Sequence, residues 1–288
     1  MTGPTAQPAD ACLICGSQSV APLFEKGGRW FSRCVACAFQ FSRGPGNPNL
    51  EQAIDGYEPA YRQYLDSSPV DAVNHEATVR WIEQFVALDH RDVSLLDVGA
   101  GSGKLIRYLR STRSCHSTGL EPSDALFRGF DLGSLGVQPL SLPEFRESGA
   151  HQFNVVTSFD VIEHVSDPVE FVSNLCLVTK PGGYVFLSTP DAGSLVARML
   201  GRRWHHYNRY HLSLFDPRSI VRVAREAGFA VVGVEHRGKR FPLTYLRRYL
   251  RDFVLPRPSD GQPQPNHRGL SVSLNLFDIM SVVLRKST

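Results

Sequence analysis

The chain has 288 residues, 42% of them hydrophobic and 20% charged, with a formal net charge of +3. Such a composition excludes general disorder and suits one large α/β domain with a small appendage. No stretch reaches the roughly 18 consecutive apolar residues of a membrane span, and the first ten residues lack the basic and apolar segments of a secretory signal, so a cytoplasmic protein is expected.

The charge is unevenly spread. Residues 196–257 hold fourteen Lys/Arg against four Asp/Glu, a segment charge of +10 that leaves −7 for the rest. A basic lobe on an acidic body suits phosphate-bearing substrates, nucleic acid or anionic lipid, and equally a solvated basic face.

In chain order, the first signal is Cys12-x-x-Cys15 and Cys34-x-x-Cys37, eighteen residues apart. That spacing falls in the window for a structural zinc site, and Gly16 permits the tight turn that aims two thiolates at one ion. Residues 1–43 are therefore expected to form a zinc ribbon with Cys12, Cys15, Cys34 and Cys37 as ligands to structural Zn2+; two disulfides are the alternative. The other two cysteines, Cys115 and Cys176, lie in apolar contexts and read as core.

Residues 44–70 begin with a Pro/Gly cluster and read as a linker followed by a lid, with Tyr57, Tyr61 and Tyr64 at helical spacing. Apolar residues between 71 and 88 predict a helix. From residue 93 short apolar runs alternate with helical stretches, which predicts βαβ units and a parallel, Rossmann-like, doubly wound sheet. Strands are expected at 93–98, 115–120, 137–140, 154–158, 183–188, 230–236 and 278–284, and helices at 104–111, 124–132, 168–178 and 217–227.

The first of these strands runs into Asp97-Val98-Gly99-Ala100-Gly101-Ser102-Gly103-Lys104, where glycines permit a tight turn and a helix start attracts an anion. Glu121 ends the second strand about 20 residues on, where an acid can bond ribose hydroxyls. The third glycine is misplaced for a dinucleotide fingerprint, and Leu105 follows Lys104 where a phosphate-binding loop needs Ser or Thr.

Together, LLDVGAGSGK (95–104), GLEPS (119–123), FNVVTSFDVIEHVSDP (153–168), KPGGYVFLSTPD (180–191) and His211-Leu212-Ser213-Leu214-Phe215 resemble the class I S-adenosylmethionine-dependent methyltransferases, in the branch that holds the ubiquinone-biosynthesis O-methyltransferases. The resemblance covers roughly residues 74–236. It implies that Asp97, Gly99, Ala100 and Gly101 line the methionine end of S-adenosylmethionine and that Glu121 and Pro122 form the ribose turn. Leu142 or a neighbour would flank the adenine, without the acidic residue usual before that position, and Ser158, Phe159 and Asp160 would face the reactive centre.

Methyl transfer from a sulfonium is an in-line displacement, so alignment supplies much of the rate and a hydroxyl acceptor further needs a base or a metal. His164 is one candidate base, with Asp160 beside it, and a histidine bonded to a backbone carbonyl is the plainer alternative. Asp160, Glu163 and His164 could instead hold a divalent cation. The insertion 191–215 carries Trp204, His206, Tyr207, Arg209 and His211, a candidate acceptor pocket in which His211 acts as base or clamp and Arg202, Arg203 or Arg209 binds phosphate.

The methyltransferase domain is expected over 71–240 and a C-terminal extension over 241–288. In that extension Leu243, Leu246, Leu250 and Phe253 oppose Arg247, Arg248 and Arg251, a pattern that suits peripheral membrane contact or docking on the core. A proline-rich loop follows at 256–267. Three functions are open at this point: methylation of a polar small molecule, anionic or neutral, such as a sugar, nucleotide-linked sugar or secondary metabolite; methylation of ribosomal RNA, since a four-cysteine ribbon ahead of a class I domain also resembles the ribosomal-RNA guanine methyltransferases; and a noncatalytic binding module. The residues leave the oligomeric state open.

Overall fold

A computed structural model describes residues 11–44, 69–149, 151–243 and 270–288. The lid tyrosines, residues 244–253 of the amphipathic stretch and the proline-rich loop lie outside those residues.

The N-terminal segment forms three antiparallel strands, β1 (Val20–Lys26), β2 (Arg29–Cys34) and β3 (Gln40–Arg43). After α1 (Pro69–Ile82) the chain alternates through β4 (Ser94–Val98), α2 (Lys104–Thr112), β5 (His116–Leu120), α3 (Asp124–Gly129), β6 (Val137–Gln138), α4 (Leu142–Glu147), β7 (Phe153–Phe159), α5 (Pro168–Val178) and β8 (Thr179–Pro190). It continues through α6 (Leu195–Leu200), β9 (Ser213–Leu214), α7 (Pro217–Glu226), β10 (Phe229–Glu235), β11 (Lys239–Pro242), β12 (Ser271–Leu274) and β13 (Ile279–Lys286).

Seven strands make the central sheet in the order β10-β13-β8-β7-β4-β5-β6. All neighbours pair in parallel except β13, which runs antiparallel to both β10 and β8. Because successive strand residues point to opposite faces, Leu95, Val155, Phe186 and Val283 enter a core with α1 and α2, while Leu96, Val156, Leu187 and Val282 enter one with α5 and α7. The expected α/β class and mostly parallel sheet are the observed ones.

Several boundaries differ. α1 stops at Ile82, not residue 88, and α3 at Gly129, not 132. The third predicted strand shortens to Val137–Gln138 because Ser141 starts α4, with a capping box in which Ser141 and Glu144 exchange hydrogen bonds. β8 begins at Thr179, earlier than expected, with a register shift in its pairing to β7. β9, β11 and β12 carry no strand signal in the sequence pattern.

β9 has the largest consequence for the site. It pairs with β3, so the cysteine-bearing strands and the insertion share one sheet, β1-β2-β3-β9. Phe24, Phe31 and Tyr207 pack edge-to-face or tilted across this joint, with Trp204 against Tyr207 at 5.2 Å. Among the described residues, no helix is long and apolar enough to cross a membrane.

Candidate active site

The carboxyl ends of β4, β5, β7 and β8 converge on one edge of the sheet, where open α/β sheets hold their ligands. At the end of β4, Asp97 is buried and accepts a hydrogen bond from Thr157 Oγ1 at 2.7 Å. Burial, and next the Glu121 charge, push its carboxyl up to about 6 although the Thr157 bond opposes them.

The glycine loop follows. A Cβ on Gly99 would fall 2.5 Å from Val161 Cγ2, and φ is +75°, so only glycine fits there. Gly101, at φ +55°, faces open space with no atom within 4 Å of its would-be Cβ. The Gly99 and Ala100 amides both donate to the Leu120 carbonyl, at 2.8 and 2.9 Å. Gly101 N donates to Glu121 Oε2 at 2.9 Å, and Ser123 N to Oε1 at 3.0 Å. The Gly99, Ala100 and Gly101 amides thus each bond within the protein and fix the shape of the turn. Glu121, also raised by burial, keeps lone pairs on both oxygens for ribose hydroxyls. Two buried carboxylates beside an open glycine turn suit a ligand that carries cationic groups and a diol, as S-adenosylmethionine does.

Leu142 is buried in the core cluster that also holds Leu120 and Ile162, as the first residue of α4. Ser158 is buried with no partner for its Oγ among the described residues, whereas Phe159 is half-buried against the α1 and α2 side of the sheet.

Immediately after β7, Asp160 takes a left-handed backbone, φ +58°, uncommon for a side chain other than glycine and typical of functional sites. Its Oδ1 accepts from Ser188 Oγ at 2.7 Å, and its Oδ2 lies 3.3 Å from Lys239 Nζ on β11. Burial would raise the Asp160 carboxyl, but the Lys239 ammonium and the Ser188 hydroxyl outweigh it and hold the group below the usual carboxylate range. Glu163 behaves oppositely: burial, and next the Asp160 charge, push it up to about 8 even though Thr189 Oγ1 donates to it at 3.0 Å.

His164 Nδ1 lies 3.0 Å from the Tyr210 carbonyl oxygen. A carbonyl only accepts, so Nδ1 carries the proton and Nε2 keeps its lone pair. The His164 ring meets His211 edge-on at 4.8 Å, and His211 stacks on His206 at 5.4 Å. Burial is the largest influence on all three and lowers each; His206 falls to about 2. Nδ1 of His211 is buried and has no hydrogen-bond partner among the described residues. Glu163, His164 and His211 bring three potential metal-ligand atoms within 4.8 Å of one another. Asp160, which the sequence reading grouped with Glu163 and His164 for a cation, faces Lys239 instead.

The other acceptor candidates separate. Trp204 is fully buried and donates from Nε1 to Asp278 Oδ2 at 3.2 Å; Tyr207 is buried and donates to Gln40 Oε1 at 2.7 Å. Both pack in the joint between insertion and ribbon. Arg209 is exposed and lies over the Tyr210 ring at 5.4 Å. Sequence reasoning missed Lys239, Ser188, Thr157 and the pair of His236 Nε2 with Asp191 Oδ2 at 2.8 Å, for nothing local couples residues so far apart in the chain.

The cysteine cluster lies in the ribbon. Cys12 and Cys37 sulfurs are 3.6 Å apart, Cys15 and Cys34 3.5 Å, and all six cysteines are unbridged. Zn–S bonds of about 2.3 Å give a tetrahedron with edges of about 3.8 Å, so the four thiols fit one zinc ion.

Comparison with known proteins places this geometry. A family described as a methyltransferase domain matches residues 71–234, more than half of the chain. The chain is 27% identical to the ubiquinone biosynthesis O-methyltransferase of Bordetella avium over 224 residues, 69% of this chain and 89% of that one. To the Pseudomonas putida enzyme of the same name it is 31% identical over 204 residues, 64% of this chain and 85% of that one. An S-adenosylmethionine-dependent methyltransferase from Archaeoglobus fulgidus has a TM-score of 0.55 at 16% identity, over 80% of this chain and 100% of that one. Magnesium protoporphyrin IX methyltransferase from Synechocystis, solved with bound S-adenosylhomocysteine, has 0.52 at 12%, over 83% and 98%. At those identities the structures establish the fold, and the family match carries the assignment. The chain belongs to the class I S-adenosylmethionine-dependent methyltransferases.

Proposed function

We propose that this methyltransferase acts on a hydroxyl of a polar small molecule, such as a sugar, a nucleotide-linked sugar or a secondary metabolite, with a histidine as base. The observation that carries the reading is the His164–His211 pair beside Asp160, with His164 held in the tautomer that presents a bare Nε2. The relatives named as O-methyltransferases favour oxygen as the acceptor atom.

Bound S-adenosylmethionine supplies an activated methyl group. Asp97, Gly99, Ala100 and Gly101 would hold its amino-acid end, Glu121 and Pro122 its ribose, and Leu142 its adenine side, with Ser158, Phe159 and Asp160 toward the reacting methyl. His164 Nε2 takes the acceptor proton, while Nδ1 stays bonded to Tyr210 and fixes the ring. Burial keeps His164 and His211 neutral near pH 7, so the base is available without prior deprotonation. Asp160, kept ionised by Lys239 and Ser188, stabilises the imidazolium that forms. His206, His211 and the exposed Arg209 are the acceptor contacts we retain from the insertion; Trp204 and Tyr207 hold that segment in place.

We assign one structural zinc ion to Cys12, Cys15, Cys34 and Cys37. Four thiolates close its coordination, which leaves it no chemical step. The chain then divides into a ribbon (1–43), a linker or lid (44–70), the methyltransferase domain (71–240) and a C-terminal extension (241–288). Unbridged cysteines support a cytoplasmic setting.

The test is transfer of labelled methyl from S-adenosylmethionine into a cell extract separated into RNA, protein, lipid and small-metabolite fractions. Label among small metabolites, lost in His164→Ala without loss of cofactor binding, is expected. Label in RNA alone refutes the reading and selects the ribosomal alternative.

A further inference from the structure

A second group of donors shares His206 with the acceptor side and extends away from it. His205, His206 and Asp278 bring two ring nitrogens and a carboxylate oxygen within 4.8 Å of one another. Methyl transfer as derived above leaves His205 and Asp278 without a role.

Three features set this group apart from incidental neighbours. Consecutive side chains of an extended segment point to opposite faces. Residues 205 and 206 instead lie in a turn, which puts both rings on the same side with centroids 3.8 Å apart. Asp278 has only 4% of its surface exposed. Its carboxylate receives one hydrogen bond, from Trp204 Nε1, and among the described residues no Lys or Arg pairs with it; His206 Nε2, at 3.9 Å, is its nearest ionisable partner. A buried carboxylate with so little compensation calls for a cation. Finally, the donors are held from behind. The indole fixes the carboxylate, Asp191 N donates to the Asp278 carbonyl at 2.8 Å, and Asn275 Oδ1 accepts from Phe277 N in the turn, with Phe277 at φ +57°, that delivers Asp278 to β13. Such outer bonds orient metal ligands.

We propose that His205, His206 and Asp278 bind one first-row divalent metal ion, separate from the four-cysteine ribbon, at the junction of the insertion with the central sheet. Two imidazoles and one carboxylate suit zinc, cobalt or nickel; magnesium and calcium take all-oxygen sites. Bonds of about 2.1 Å need donors about 3.4 Å apart, which small side-chain rotations from the present arrangement provide. His205 is at the surface, so the ion keeps a position open to water or an anionic ligand. The ion would tie the turn at 204–206 to β13 and hold the His206 ring on which His211 stacks. The proposal takes His206, retained above as an acceptor contact, as a metal ligand, and it holds whichever acceptor is methylated.

The experiment is titration of the purified, zinc-loaded full chain with Co2+, followed by visible absorption and calorimetry. One further equivalent is expected, with d–d bands and no thiolate-to-cobalt charge transfer, and its affinity should fall at least tenfold in His205→Ala and in Asp278→Asn. His205 is exposed, so its variant keeps the fold even if Asp278→Asn does not. Absence of a further equivalent, charge-transfer bands that put the ion in the ribbon, or binding unchanged in His205→Ala but lost in His164→Ala would each overturn the site.

Discussion

Ser42 of the ribbon donates its hydroxyl to the His211 carbonyl oxygen, 2.9 Å away, while its own backbone amide donates to Leu212 at 2.9 Å and its Oγ accepts from Arg29 Nε at 3.0 Å. One small buried side chain thus joins β3 to the segment that carries the histidine. The ribbon is part of the wall that places His211, so damage to it should appear at the acceptor side first.

For Ser42→Ala we expect an acceptor KM raised several-fold, a cofactor Kd within a factor of two of the parent, and a stability loss of about 1–3 kcal/mol, since the buried Oγ bonds to Arg29 Nε and to the His211 carbonyl are removed. Steady-state kinetics beside calorimetric titration of the cofactor separate the two; equal losses at both sites would mean that the serine supports the fold generally.

Chelation acts on the same joint more broadly. Phe31, Phe39 and Phe41 are buried where the ribbon meets the insertion and core, and on the zinc assignment proposed above the short segment relies on its ion to hold them. Removal of zinc should lower stability by about 3 kcal/mol or more, or roughly 6–12 °C in Tm, with restoration on zinc addition. An unchanged melting curve after complete metal removal would exclude the structural role.

Glu121 tests the cofactor end. Glu121→Ala removes both acceptors for Gly101 N and Ser123 N, so the glycine turn loses its brace along with the diol contact. The cofactor Kd should rise at least about tenfold, equivalent to about 1.4 kcal/mol; cofactor affinity equal to the parent's would remove Glu121 from the site.

Glu163 gives a pH signature. Its carboxyl is raised from 4.5 to about 8 by burial and by Asp160, so between these pH values the native state binds a proton that the unfolded chain has released. Stability from this group is full below pH 4.5 and is lost as pH rises through about 8. Glu163→Gln keeps an acceptor for Thr189 and removes the titration. The variant should lose less stability than the parent between pH 5 and 8.5 in denaturant melts; parallel profiles would mean that Glu163 is ionised throughout.

The sequence made the central sheet readable because its strands are apolar on both faces and its helices announce their starts, as at Asp167-Pro168 and Asp216-Pro217. The glycine loop and the cysteine pairs were legible for the same reason, since each is specified within a few residues. What escaped depends on distant partners. Ser213–Leu214 became a strand only because Gln40 and Phe41 supply the other side, and Lys239 joined the site by crossing to Asp160 from β11. Trp204 and Tyr207 carry the polar-tipped aromatic look of a binding pocket. Their burial by ribbon phenylalanines could not be inferred from either segment alone.

β13 occupies the interior of the sheet, between β8 and β10, yet it is made 89 residues after β8 ends. At about 5–20 residues per second on the ribosome, β8 waits roughly 5–20 seconds with the edge that carries Val185, Phe186 and Leu187 unpaired. Nascent chains of this protein therefore expose an apolar strand edge that cannot be closed locally. Newly made protein should depend on holdase chaperones during synthesis far more than the finished enzyme does.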